Sequence, residues 1–187
     1  MTATFRTSQP GSAADPSKPH VILVGLPGCG KTTVGKGVAR QTGRSFLDID
    51  LEIERREGRS IGQIFAEMGE AYFRQKEREV TEELRLVGNM IVAPGGGWVT
   101  HPEVVALVRP PSQLIYLKVR PATALERLGP LKSLRPLLMR ADPLDELDRL
   151  LKARRAAYES ADHVIDAELL SVQRVIDKVI ELASIEG

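Results

Sequence analysis

The segment Gly25-Leu-Pro-Gly-Cys-Gly-Lys-Thr32 narrows what this chain can fold into more than any other. It fits the pattern G-x-x-x-x-G-K-[ST] in full. Before it runs His20-Val-Ile-Leu-Val-Gly25, apolar on consecutive residues as in a strand covered on both faces. After it, Lys31 to Gln41 reads as a helix that stops at Thr42-Gly43. Glycines at these positions let the backbone wrap a phosphate with its N–H groups turned inward, and the positive end of the following helix strengthens that field. Lys31 is then placed to reach β- and γ-phosphates, and the Thr32 hydroxyl to ligate Mg2+. A purely structural glycine-rich turn is the alternative; the strand before the motif and the helix after it weigh against that. The position of Cys29 calls only for a small side chain, although a helix N-terminus can lower a thiol pKa and make it modifiable.

Beyond this motif, strands and helices alternate. Strands are expected at 45–50, 89–93, 113–119 and 163–166. Helices are expected at 52–57, at 61–68 behind a Ser60 cap, and at 72–87, 101–109, 121–128, 144–159 and 171–185. The alternation predicts an α/β, three-layer P-loop NTPase fold: a five-stranded parallel sheet flanked by helices, with ligands at the carboxyl ends of the strands. With 187 residues and no internal repeat, one domain over 20–187 is expected, with substrate-binding helices at about 51–87. Residues 1–19, rich in small residues and proline and without the apolar core of a secretory signal, read as a flexible tail. A net charge of +1 lacks the basic excess of a nucleic-acid binder. No apolar run approaches a membrane span. Cys29 is the only cysteine, so no disulfide forms within the chain, which fits a reducing cytoplasm. The three histidines show no metal-ligand spacing. No long apolar stripe is left over, so a monomer is expected.

The acceptor side is read from scattered residues that the strand ends would gather. Asp48 and Asp50, two apart at the end of the second predicted strand, would point the same way. One then suits Mg2+ through water and the other a substrate hydroxyl; a solvated acidic turn is the plain alternative. On the helix 72–87, Phe73, Val80, Leu84 and Val87 form an apolar stripe, and Glu77 falls on it. A carboxylate there is costly unless paired, and Arg74 lies three residues earlier on nearly the same face. The pair would hold a guanidinium fork ready for a ligand anion. Gly95-Gly-Gly97, after the third strand, lets backbone approach a ligand closely. That strand lacks a terminal aspartate, which leaves Asp48 as the candidate for the metal's outer shell. The segment 129–143, with Arg135-Pro-Leu-Leu138, reads as a mobile lid whose arginine would swing onto the phosphates.

Taken in order, Gly25 to Thr32, Asp48-Ile-Asp50, Phe73-Arg-Gln-Lys-Glu77, Gly95 to Gly97, Arg135 to Leu138 and Arg154-Arg-Ala-Ala-Tyr158 resemble the shikimate kinase family. The first motif is common to many NTPases, whereas the ordered set, spanning Val21 to Asp166, is specific. The resemblance implies ATP as co-substrate, Mg2+ as cofactor, and transfer of the γ-phosphoryl group to the 3-hydroxyl of shikimate. It gives the nucleotide to Gly28, Cys29, Gly30, Lys31, Thr32 and Thr33, with Arg127 on the adenine and Arg135 on phosphate. The metal falls to Thr32 and Asp48, the reacting hydroxyl to Asp50, and the substrate carboxylate to Arg74, Arg154 and the Gly96-Gly97 backbone. Glu77 would orient Arg74. Catalysis would rest on Lys31, Asp50 and Arg135. The sequence departs from the family at Ala93-Pro94, ahead of the triple glycine, and at the bulky Trp98 behind it. Gluconate or nucleoside monophosphate kinases are the rival enzymes, and a nucleotide-dependent switch is the rival without catalysis.

Overall fold

The computed structural model describes residues 18–129 and 142–184. Its order is β1 (Val21–Val24), α1 (Lys31–Thr42), β2 (Ser45–Asp48), α2 (Ile49–Glu57), α3 (Ile61–Glu67) and α4 (Gly69–Leu84). Then come β3 (Met90–Ala93), a short 3-10 turn (Trp98–Thr100), α5 (Pro102–Val105), β4 (Gln113–Lys118), α6 (Pro121–Leu128), α7 (Pro143–Glu159), β5 (His163–Asp166) and α8 (Val172–Ser184). The five strands form one parallel sheet in the order β2-β3-β1-β4-β5. Every residue of β1 and β3 is buried, as the consecutive apolar runs require of strands covered on both faces. The chain steps from β1 past β3 to β2 and later returns to β4 on the other side. The order reverses at β1, so the crevice that opens there lies over the phosphate loop.

Small residues decide how closely α1 approaches its neighbours. A Cβ on Gly35 would meet the Phe46 ring at 2.5 Å, and one on Gly37 would collide with Ile176 of α8. The helix therefore seats Val34 and Val38 in the core, each stabilising by about 1.5–3 kcal/mol. Ser60 caps α3 in a full capping box with Gln63, as its sequence position predicts. His20 is a satisfied core histidine: Nε2 donates to the Leu84 carbonyl at 3.0 Å, and Nδ1 accepts from Met90 N. Burial lowers its pKa and holds the ring neutral.

Three boundaries differ from the sequence expectation. The second strand ends at Asp48, and a helix begins at once, so Asp50 sits in the first turn of α2 rather than on a strand. Asp48 causes the switch, because its side chain accepts from Leu51 N at 3.2 Å and caps the helix. Helix α4 begins at Gly69, three residues earlier than expected. Its apolar stripe reaches Val87 through a tightened last turn, Leu86 N to Glu83 O and Val87 N to Leu84 O. The expected helix at 101–109 is only α5 plus a run of turns. No helix among the described residues is long and apolar enough to cross a membrane.

Candidate active site

The loop between β1 and α1 has the backbone that its glycines permit. Gly28 and Gly30 adopt φ of 85° and 103°, conformations that a side chain would strain. A Cβ on Gly28 would also collide with the carbonyl of Ala124, so α6 lies directly against the loop. Cys29 is buried, and its N–H closes a turn onto the Leu26 carbonyl. The Lys31 ammonium lies inside the curve of the loop, donating to the carbonyls of Gly25 at 2.9 Å and Leu26 at 3.1 Å. Thr32 Oγ1 donates to Asp48 Oδ2 at 2.7 Å, which joins the first turn of α1 to the end of β2. Thr33 is exposed on that same turn.

Gly95 to Gly97 follow β3 and press against the phosphate loop: a Cβ on Gly96 would lie 3.3 Å from the Gly25 carbonyl. Between them the three glycines face three functional side chains. A Cβ on Gly95 would meet Asp50 Oδ1 at 2.8 Å, and one on Gly96 would meet Arg154 Nη1 at 3.2 Å. A Cβ on Gly97 would meet Arg74 Nη2 at 2.9 Å and Arg154 Nη2 at 3.4 Å. Two guanidinium groups from α4 and α7 therefore converge over one α-carbon, with the Asp50 carboxylate beside them.

The Arg74 fork is held from both sides. Nη1 donates to Glu77 Oε2 at 2.9 Å, while Nε and Nη2 donate to Glu70 Oε1 at 3.2 and 2.9 Å. Glu77 is 1% exposed, as its place on the apolar stripe predicts. Burial pushes its carboxyl up to about 7, against the pull of Arg74, and the nearby Asp50 charge acts in the same direction as burial. Its second oxygen, Oε1, has no hydrogen-bond partner among the described residues. Tyr158, four residues after Arg154 and fully buried, donates to the Gly96 carbonyl at 2.7 Å and stacks on Tyr116.

Among the sequence candidates, Lys31, Thr32, Asp48, Asp50, Arg74, Gly96, Gly97 and Arg154 thus gather around one cleft. Arg127 is exposed on α6, with Nη2 donating to the Ala167 carbonyl at 2.9 Å. Arg135, and with it the Arg135 to Leu138 motif, lies outside the described residues. Sequence reasoning missed Glu168, which ties α6 to the segment after β5. It accepts from Arg120 N and Nε and from the Thr123 hydroxyl, and those donors hold its carboxyl down at about 2. No local pattern marks that contact, which spans more than forty residues.

A phosphate cradle at the switch point of a parallel sheet, facing a pair of convergent arginines and a carboxylate, defines a P-loop kinase of small molecules. Residues 27–184 match the family model described as shikimate kinase. The chain belongs to that family. A shikimate kinase of Moorella thermoacetica is 41% identical over 80% of this chain and 85% of its own length. One from Pelotomaculum thermopropionicum is 36% identical over 86% and 93%. The solved structure of the Acinetobacter baumannii shikimate kinase in complex with shikimate has a TM-score of 0.84 at 34% identity, covering 91% of this chain and 96% of that one.

Proposed function

We propose that this chain transfers the γ-phosphoryl group of ATP to the 3-hydroxyl of shikimate, giving 3-phosphoshikimate and ADP. The convergence of Arg74 and Arg154 over Gly97, next to the phosphate loop, is the observation that carries the reading. Two planar forks at one point suit a carboxylate, which accepts two bonds from each geometry on offer. With the carboxylate held there, Asp50 faces a ring hydroxyl and orients it or takes its proton as the new P–O bond forms. The Lys31 ammonium stabilises charge on the phosphoryl group in transit. Most of the acceleration then comes from positioning and charge neutralisation.

The donor set also fits Mg2+. No cluster of three His, Cys, Asp or Glu side chains that could form a protein cage occurs among the described residues. A hydroxyl and a carboxylate 2.7 Å apart, Thr32 and Asp48, suit an ion that keeps its waters and binds phosphate oxygens. Thr32 would ligate it and Asp48 would act through water. When bound, Mg2+ neutralises charge on the β- and γ-phosphates. Gly28, Cys29, Gly30 and Thr33 complete the phosphate side. Arg127, anchored on the Ala167 carbonyl, is proposed to lie on the adenine, and Arg135 to reach the phosphates. A monomer in a cytoplasmic setting completes the reading.

The test is ADP release by the purified protein with ATP and Mg2+, comparing shikimate, gluconate, nucleoside monophosphates and no acceptor. Strong shikimate-dependent release is expected. Turnover with another acceptor alone would reassign the pocket, and none with any acceptor would refute the enzyme.

A further inference from the structure

Trp98 and Thr81 have no part in the functions assigned above, yet they sit directly behind the arginine pair. Both are 0% exposed. A buried indole N–H is a donor that needs a partner, and Trp98 Nε1 finds it in Thr81 Oγ1 at 3.0 Å. The Thr81 hydroxyl in turn donates to the carbonyl of Glu77 at 2.7 Å. Glu77 is the residue that grips Arg74 from the inside. A continuous buried chain therefore runs from the residue after Gly97, through Thr81, to the helical turn that carries the Arg74–Glu77 pair.

The other side of the same loop is fastened in parallel. Tyr158 on α7 donates to the Gly96 carbonyl, and Arg154 lies one turn earlier on that helix. The loop from Gly95 to Trp98 is thus bonded once to each of the two helices that supply a guanidinium to Gly97. Moving the α4 attachment would move Arg74 relative to Arg154, whereas the phosphate loop, which meets Gly96 through Pro27 and Gly25, would stay in place.

We propose that Trp98 and Thr81 are positioning residues: their hydrogen bond fixes the spacing of the Arg74 and Arg154 guanidinium groups over Gly97, and so tunes affinity for the carboxylate of the acceptor. The inference rests on the acceptor reading given above. It differs from ordinary core packing in one respect. Packing requires the volume of the ring and the methyl group, whereas positioning requires the N–H and the hydroxyl.

The experiment is steady-state kinetics of the full chain with Trp98→Phe, Thr81→Val, Thr81→Ser and the double variant Trp98→Phe/Thr81→Val. Trp98→Phe, which removes the indole bond alone, is expected to raise KM for shikimate about five- to tenfold, and Thr81→Val, which removes that bond and the one to the Glu77 carbonyl, at least as much. KM for ATP should stay within twofold. Thr81→Ser, which keeps the hydroxyl, should restore the wild-type value, and the double variant should be no worse than the more impaired single one. Trp98 is the only tryptophan, so its emission in Thr81→Val reports directly on the lost bond, with a blue shift expected. Unchanged shikimate KM in both single variants, equal rises for shikimate and ATP, or a Thr81→Ser as impaired as Thr81→Val would overturn the proposal. If Trp98→Phe fails to fold, the isosteric Thr81→Val and its serine counterpart decide alone. Wild-type turnover with flat variants removes only this inference. A wild type with no shikimate-dependent ADP release removes the acceptor reading and the inference with it.

Discussion

Gly97→Ala adds one methyl group to the point where the two guanidinium groups meet. The backbone there has φ of −91° and ψ of −15°, open to any L-residue, so the substitution introduces no strain of its own. Its Cβ would stand 2.9 Å from Arg74 Nη2, 3.3 Å from Arg74 Nη1 and 3.4 Å from Arg154 Nη2, inside the ~3.5 Å at which such contacts turn favourable. Arg74 cannot withdraw freely, because Glu77 and Glu70 hold its fork. The methyl therefore costs the acceptor at least one charge-assisted hydrogen bond, about 1.5–3 kcal/mol. KM for shikimate should rise roughly 10- to 150-fold. KM for ATP should stay within twofold. Stability should change little, since alanine at a compatible position gains about 0.4–1 kcal/mol through the unfolded chain and offsets local crowding. The assay is initial-rate ADP release over a range of shikimate at saturating ATP, then the reverse, with a thermal melt alongside. A shikimate KM within twofold of wild type, on a protein that melts normally, would show that the carboxylate does not bind at this point.

Asp50→Asn should lower kcat by about 10²-fold or more while KM for ATP changes little, as expected of a group acting on the hydroxyl; unchanged turnover would remove Asp50 from that role. Asp48→Asn keeps an oxygen to cap α2 but loses the charge facing Thr32. It should raise the Mg2+ concentration for half-maximal rate about tenfold with little change in melting, and an unshifted Mg2+ titration would refute the assignment. Glu77→Gln tests the buried carboxyl. With a folded pKa of about 7, above the ordinary 4.5, the native state holds that proton more tightly. Its stabilising effect is complete below pH 4.5 and lost as pH rises through 7. Buried neutral His20 acts in the opposite direction, so the measurement is the difference in Tm between wild type and Glu77→Gln, expected to fall between pH 5 and pH 8. A flat difference would refute it.

The parallel sheet and the phosphate loop were legible because both rest on local chemistry: consecutive apolar residues before the loop, and glycines where φ is positive. The Arg74–Glu77 pair was legible for a similar reason, since a carboxylate on an apolar stripe must be explained by something within a helical turn. Asp50, expected at a strand end, lies on a helix, with its carboxylate facing Gly95. Ser45 to Asp50 reads as a short apolar strand ending in acids, and the capping of α2 by Asp48 turns the chain at residue 49. Glu70, the second acid on Arg74, was missed because the helix was started at Tyr72. Trp98 stands out in the sequence only as a bulky departure from the family, and its indole points into the core toward Thr81, a long-range pairing that no window of sequence contains. Tyr158 appeared as part of a motif without its partner, the Gly96 carbonyl. The anchor of Arg127 on the Ala167 carbonyl is equally non-local.

The triple glycine has a bearing on the thermodynamics of recognition. An arginine side chain carries about 2 kcal/mol of rotamer entropy, and a flexible site would lose it each time a ligand bound. Here Arg74 is already fixed by two acids, and both it and Arg154 are seated over α-carbons that carry no side chain. The disorder has been surrendered once, during folding. Calorimetry of shikimate binding should accordingly show a small ordering penalty and an enthalpy close to that of the bonds formed, the signature of a cleft whose shape precedes its ligand.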